Sequence, residues 1–339
     1  DQVQFAEQAG LRAVWFMDST TRWAGAPSDV ARFDPWSLIP AIATFTNRIS
    51  LGTLAMPPGR RNPEIAARQI ATSDRISDGR VEITLSTGDE SVVRNREGQG
   101  RLVSGEGVAR MIEELEVLRS LWHNERTDYK GEFVEIEDAV CEPKPEFPIP
   151  VWMQLGWGPQ RLAHEIVKHA YGFTIPLHAV SNELVRIQLA RLREACFDSG
   201  RSPAELRSSR VVGVTLTEVE VDPEDAKRHL LATADPRTRH LLDSTGPTVH
   251  SHLRRYWPDF TPEQYRFEDY FLTNEFHCIG TAEQVADQIL AGTHELGIEE
   301  AVIWPHGRLH SWQPDCIKTQ GDMVERIAKE LVPSLRRAR

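Results

Sequence analysis

The feature that most constrains this chain is an alternation. Seven apolar or β-branched runs of strand length fall at 13–17, 49–56, 81–87, 151–155, 172–175, 211–217 and 301–304, with helical patterns between them. Runs this short and this uniformly apolar suit strands covered on both faces. The segments between carry helix period and helix punctuation. "PEIAARQIATSDRI" begins on a proline at 63 and runs toward Gly79. In "GVARMIEELEVLRSLW", Met111, Leu115, Leu118 and Leu121 recur at three- and four-residue spacing, which is one face of a helix. "SNELVRIQLARLREACFDSG" starts on a Ser/Asn cap and stops at Gly200, and "TAEQVADQILAGTHELG" starts on a Thr cap with a Glu two residues on and stops at Gly297. Repeated strand–helix units require a parallel sheet covered by helices.

The order of elements at the start bears on the strand count. "DQVQFAEQAGLRAVWF" reads as a helix ending at Gly10 and then a strand, so an earlier strand is expected ahead of residue 1. With it the count reaches eight, and the fold class is α/β: a (β/α)8 TIM barrel, with a doubly wound open sheet as the competing architecture. Three stretches interrupt the alternation: a polar loop at 89–106, a β-ribbon in "DYKGEFVEIED" around Gly131, and a charged, His-rich helical insertion at about 220–275. The chain is read as one domain over 1–339, with the last of these stretches an insertion and not a separate domain.

Composition removes several function classes. The net charge of −11 leaves no basic footprint for nucleic acid and disfavours anionic lipid. No stretch approaches the ~18 apolar residues of a membrane span, and no signal peptide is visible. Cys141, Cys196, Cys278 and Cys316 are scattered without a CxxC pair, which predicts free thiols and a cytoplasmic location. His250, His252, His306 and His310 lack an HExxH context or a third ligand, so no metal site is predicted. There is no GxSxG elbow for a serine hydrolase.

In a barrel, chemistry sits where the strands end. The exits read Asp18-Ser19, Met56-Pro57-Pro58-Gly59, Gly88-Asp89-Glu90, Gly156-Trp157-Gly158-Pro159, Pro176-Leu177-His178 and Pro305-His306-Gly307. Acids, glycines, an aromatic and histidines thus converge on one rim. The Gly156–Gly158 turn, followed by a proline suited to a first helical turn, is either a phosphate cradle or a plain tight turn. It lacks the third glycine and the later acid of a dinucleotide fingerprint, so it does not indicate NAD.

Longer stretches carry a resemblance. "FDPWSLIPAIATFTNRISLGTLAMPPGRRNPEIAARQIATSDRISDGR", "EELEVLRSLWHNERTDYKGEFVEIEDAVCEPKP…PIPVWMQLGWGPQRLAHEIVKHAYGF" and "GTAEQVADQI…HELGIEEAVIW" resemble, in order, the luciferase-like monooxygenase superfamily. The similarity covers most of the chain outside residues 220–270. It implies a TIM barrel using FMN or the deazaflavin coenzyme F420. "TLSTGDE" and the "RRNP" run are similar to the F420 branch, which includes glucose-6-phosphate dehydrogenases, methylenetetrahydromethanopterin reductases and phthiodiolone ketoreductases.

Roles follow from the resemblance position by position. Leu54, Ala55 and Met56 match a bulge, usually with a non-proline cis peptide, that supports the deazaflavin ring. Gly88 and Asp89 match a Gly-acid pair whose acid moves a proton near the ring, and Asn95 matches a cofactor-contacting Asn. Gly156, Trp157 and Gly158 match the phosphate-side turn, and Trp23 an aromatic on the substrate side, where His178 and His306 are also candidates. Asp18 matches the first residue of an Asp-His pair, but Ser19 stands where the base histidine is expected. A hydroxyl cannot hold a proton near neutral pH as imidazole does, so reduction of a C=C, C=N or C=O bond is expected in preference to alcohol oxidation. The implied protein is an F420-dependent oxidoreductase acting on a small molecule, expected as a homodimer. An FMN-dependent monooxygenase and a non-catalytic barrel subunit are the alternatives.

Overall fold

A computed structural model describes residues 2–18, 33–88, 106–156, 160–176, 182–232, 277–305 and 323–338. In chain order the elements are α1 (Gln2–Gln8), β1 (Ala13–Phe16), α2 (Pro35–Ala43), β2 (Ser50–Thr53), α3 (Pro63–Ser77), β3 (Val81–Leu85) and α4 (Glu106–His123). A ribbon of β4 (Thr127–Lys130) and β5 (Glu135–Ala139) follows, then β6 (Val151–Gln154), α5 (Gln160–His169), β7 (Gly172–Ile175), α6 (Asn182–Ser199) and β8 (Arg207–Leu216). The remainder is α7 (Pro223–Ala232), β9 (His277–Gly280), α8 (Ala282–Leu296), β10 (Glu300–Pro305), a π-helical turn (Ile327–Leu331) and α9 (Val332–Arg337).

One sheet runs β1-β2-β3-β6-β7-β8-β10, and every pairing in it is parallel. These seven strands are the seven runs expected from the sequence. An eighth, β9, lies off the path and pairs only with the C-terminal end of β8, from Gly213 opposite His277 to Leu216 opposite Gly280. The two ends of the path meet through a side chain: Nε of Arg12, just before β1, donates to Oε2 of Glu300 in β10 at 2.9 Å. In a flat sheet, strand spacings of roughly 4.8 Å would hold these edges about 29 Å apart. The sheet therefore curls into a barrel, and the open doubly wound architecture is excluded.

Local sequence accounts for the elements that build this curl. α3 opens with the Asn62 side chain accepting from the amides of Glu64 and Ile65, with Pro63 in its first turn, and it ends where Asp78 turns left-handed at φ 59°. Its buried face, Ala66, Ala67, Ile70, Ala71 and Ser77, is small-residue rich, which lets the helix approach the sheet. All five residues of β3 are buried, as expected of a strand covered on both faces. α8 begins with a capping box in which Thr281 is paired with Gln284. Val212, Val214 and Leu216, alternating along β8, pack outward against Val285 and Ile289 of α8 and Ile327 and Leu331 of the π turn.

Inside the barrel, near the N-terminal ends of the strands, sits a polar plug. Glu82 of β3 is 3% exposed and accepts from Trp15 Nε1 at 2.5 Å, Trp152 Nε1 at 3.1 Å and Arg12 Nη1 at 3.1 and 3.2 Å. The Arg12 guanidinium also lies over both indoles, 5.9 Å from the Trp15 ring centre and 5.5 Å from that of Trp152. Burial opposes the Arg12 charge, but Glu82 and Glu300 outweigh it and raise its pKa further. Two glycines leave room for the rings. A Cβ on Gly52 would come within 2.3 Å of the Glu82 carbonyl, and one on Gly172 within 2.8 Å of the Trp152 ring.

The ribbon is antiparallel, as expected around Gly131. Cys141, Cys196 and Cys278 are buried free thiols, while Cys316 lies outside the described residues. Among the described residues no helix is long and apolar enough to cross a membrane. The expected insertion is described only as far as α7, and its residues 233–275 lie outside the described set.

Candidate functional site

The C-terminal ends of the strands form the rim opposite the plug. At the exit of β2 the ladder slips. Gly52 stands against Glu82 of β3, but Met56 stands against Leu85, so the β2 side has gained one residue over this interval. That is a bulge, which re-aims the backbone at a barrel rim. Leu54 N donates to Phe16 O at 2.8 Å on one side of it, and Met56 N to Thr84 O at 2.8 Å on the other. The Leu54–Ala55 peptide within it is cis. Leu54, Ala55 and Met56 thus carry a bulge with a non-proline cis peptide.

The first strand delivers Asp18 to the same rim, where it is 3% exposed. Its carboxylate is gripped on both oxygens by Arg61: Nε donates to Oδ2 at 3.1 Å and Nη2 to Oδ1 at 2.9 Å. The same Nη2 donates to Asp34 Oδ1 at 2.5 Å. Asp34 in turn caps α2, its Oδ2 accepting from Ser37 N at 2.9 Å and Ser37 Oγ at 3.0 Å. Burial works against the charge of Arg61, but Asp18 and Asp34 more than offset it and raise its pKa. Burial raises the Asp34 pKa, but the Arg61 guanidinium and the hydrogen bonds from Ser37 outweigh it and lower it.

The loop that carries Arg61 is itself fixed. Gly59 N donates to Glu114 Oε1 of α4 at 2.6 Å, and Arg110 Nε donates to the same oxygen at 3.1 Å. Burial pushes the Glu114 carboxyl above its usual range, against the pull of Gly59 and Arg110. A small cleft lies between this loop and α4, lined by Met56, Pro58, Arg61, Leu85, Met111 and Glu114.

At the third exit Gly88 adopts φ 74°, a left-handed backbone that favours glycine. At the fourth, a Cβ added to Gly156 would meet, among the described residues, only Pro176 Cγ at 3.7 Å. Below the rim, Thr84 and Thr174 share strand parity with the inward Glu82 and Gly172, and their buried hydroxyls have no hydrogen-bond partner among the described residues. Ser19, Trp23, Asp89, Asn95, Trp157, Gly158, His178 and His306 lie outside the described residues. Arg61 and Asp34 were not singled out as site residues from the sequence. Their signal is a basic residue in the loop after one strand and a buried acid ending the adjacent one, which becomes legible only once β1 and β2 are known neighbours.

This geometry can be set beside known proteins. The family model for luciferase-like monooxygenases matches residues 1–300. The chain belongs to the luciferase-like monooxygenase family. A curated relative, the F420-dependent glucose-6-phosphate dehydrogenase of Amycolatopsis mediterranei, is 34% identical over 157 residues, covering 44% of this chain and 45% of that protein. The chain thus spans about half the length of the curated relatives it matches. Among solved structures, an F420-dependent secondary alcohol dehydrogenase in complex with an F420-acetone adduct superposes with a TM-score of 0.71 at 18% identity, covering 99% of this chain and 93% of that one. The EDTA monooxygenase of Chelativorans sp. BNC1 gives 0.74 at 18% identity, with 99% and 85% covered. These likenesses establish the luciferase-like TIM barrel. They also place this member of the luciferase-like monooxygenase family beside proteins named for different chemistries.

Proposed function

We propose that this chain is an F420-dependent oxidoreductase that reduces a C=C, C=N or C=O bond of a small organic substrate. The observation that carries the reading is the one-residue bulge at Leu54–Met56, set at the exit of β2 between the exits of β1 and β3. The name of the Amycolatopsis relative and the "TLSTGDE" segment support the F420 branch over the FMN branch. The described rim fits such a group. Its backbone is re-aimed at the bulge and left-handed at Gly88.

When bound, F420 supplies or accepts the hydride, and the protein supplies binding, orientation and proton placement. Leu54, Ala55 and Met56 would support the ring, Gly88 and Asn95 would contact the cofactor, and the Gly156–Gly158 turn, with Trp157, would face its phosphate. Asp89, next in sequence to Gly88, would hold the proton that a reduced substrate needs. Trp23, His178 and His306 would face the substrate. With Ser19 in the position of a base, oxidation of an alcohol through that residue is disfavoured. A cytoplasmic homodimer completes the reading, with the acidic surface and the buried thiols in keeping with the location.

Titration of the purified chain with F420 and with FMN tests the proposal, followed by optical spectra of the complexes. Saturable F420 binding is expected. Tight FMN binding with no F420 binding would replace the reading by an oxygen-activating monooxygenase, and binding of neither by a non-catalytic barrel. Asp89→Asn is expected to leave the F420 Kd within about tenfold, roughly 1.4 kcal/mol, while slowing turnover. Unchanged turnover would remove Asp89 from proton transfer.

A further inference from the structure

We propose that Arg61 is a positioning residue of the rim: one guanidinium locks the exit of β1 to the start of α2 and holds the Asp18 carboxylate as a fixed acceptor beside the cofactor site. The inference rests on the reading of the rim as an F420 site and deepens it. Both Asp18 oxygens are occupied by Arg61, at 3.1 and 2.9 Å, and the third contact of the guanidinium reaches Asp34. Asp18 is 43 residues from Arg61 and Asp34 is 27 residues from it, so no local structure imposes this meeting. Only a planar fork with several fixed donors can serve two carboxylates at once with such geometry; a lysine ammonium is a point charge on a flexible stem.

Two carboxylates share one cation, so this cluster carries one surplus negative charge, and its cation is the partner common to both acids. The loop holding Arg61 is tethered to α4 through Gly59 and Glu114, so the guanidinium is delivered from a fixed base. Ser19 follows Asp18 where the resemblance expects a histidine, and among the described residues Arg61 is the group that Asp18 engages. Asp18 then acts through its placement, as an oriented negative charge, and proton movement falls to other groups.

The test has two arms, both on the full chain. In the first, Asp18→Asn, Asp34→Asn and the double variant are compared by equilibrium unfolding, in the wild-type and in the Arg61→Gln background. The expected result is a coupling of about tenfold in the unfolding equilibrium constant between positions 18 and 34, abolished by Arg61→Gln. Absence of coupling, or its survival without Arg61, overturns the proposal. In the second arm, Arg61→Lys, which keeps the charge and is the variant to use should Arg61→Gln fail to fold, is titrated with F420 at a temperature where it is fully folded. The Kd is expected to rise about tenfold, with a displaced absorbance band of the bound cofactor. A wild-type Kd and spectrum for Arg61→Lys overturn the positioning role even if the coupling is present. If the wild-type chain binds no F420, the functional reading fails and the positioning role with it, while the first arm still reports whether Arg61 links the two acids.

Discussion

Glu82 in the plug and Asp18 at the rim are each 3% exposed, yet their surroundings differ. Glu82 takes its donors from strands and their immediate ends: Trp15 in β1, Trp152 in β6 and Arg12 just before β1. Among the described residues Asp18 takes its donors from one loop residue, and Arg61 divides itself between Asp18 and Asp34. At the bottom three side chains converge on Glu82, held by the sheet itself, and Arg12 reaches on to Glu300 at the other end of the strand path. At the rim one donor serves two acids, and loops and helix caps hold it. The first arrangement suits a barrel that must stay closed, and the second a site whose charges must be aimed. The bottom should therefore govern stability and the rim binding.

The largest expected effect breaks the bottom. Glu82→Ala strands two indole N–H groups in the interior and leaves Arg12 with Glu300 alone, and should cost on the order of 2–4 kcal/mol in urea unfolding. Asp34→Ala removes the α2 cap and one arm of the rim cluster. It should cost about 1–2 kcal/mol, while weakening F420 binding more than its stability loss suggests. Gly88→Ala forces a side chain into φ 74°. It should cost roughly 1–2 kcal/mol and again weaken F420 binding.

The smallest effect lies away from both ends, where α4 meets α5. Burial first, and then the charges of Arg119 and Lys168, hold His169 below its ordinary 6.5. Arg119 Nη1 lies 3.1 Å from His169 Nδ1, and Nη2 donates to its carbonyl at 2.6 Å. A folded state that resists protonation, against an unfolded state that accepts it, gives a contribution fully present above pH 6.5. It is lost as the pH falls from there toward the folded value. His169→Gln should flatten this part of the stability–pH curve and leave F420 binding unchanged.

Much of the fold was legible in the sequence because buried parallel strands show as apolar runs and amphipathic helices as periodic ones. The seven strands of the barrel path and the faces of α3, α4 and α8 follow from that rule. β9 was not read. It is the four residues HCIG, which begin on a histidine and run directly into the Thr281 cap of α8, leaving no run long enough to register. The position of the bulge came from resemblance, since nothing in the spacing of Leu54, Ala55 and Met56 requires an extra residue there. The Arg61 cluster and the Glu82 plug join residues 27 to 288 positions apart. Such contacts leave no period in a sequence, and only the packing of strand ends reveals them.

The most direct test of the division between rim and bottom is a fluorescence titration of F420 into three folded proteins: the wild type, Gly88→Ala and Glu82→Gln. The account predicts saturable binding to the wild type, weaker binding to Gly88→Ala and wild-type affinity in the less stable Glu82→Gln. Binding of FMN in place of F420, or an affinity loss in Glu82→Gln equal to that in Gly88→Ala, would contradict it.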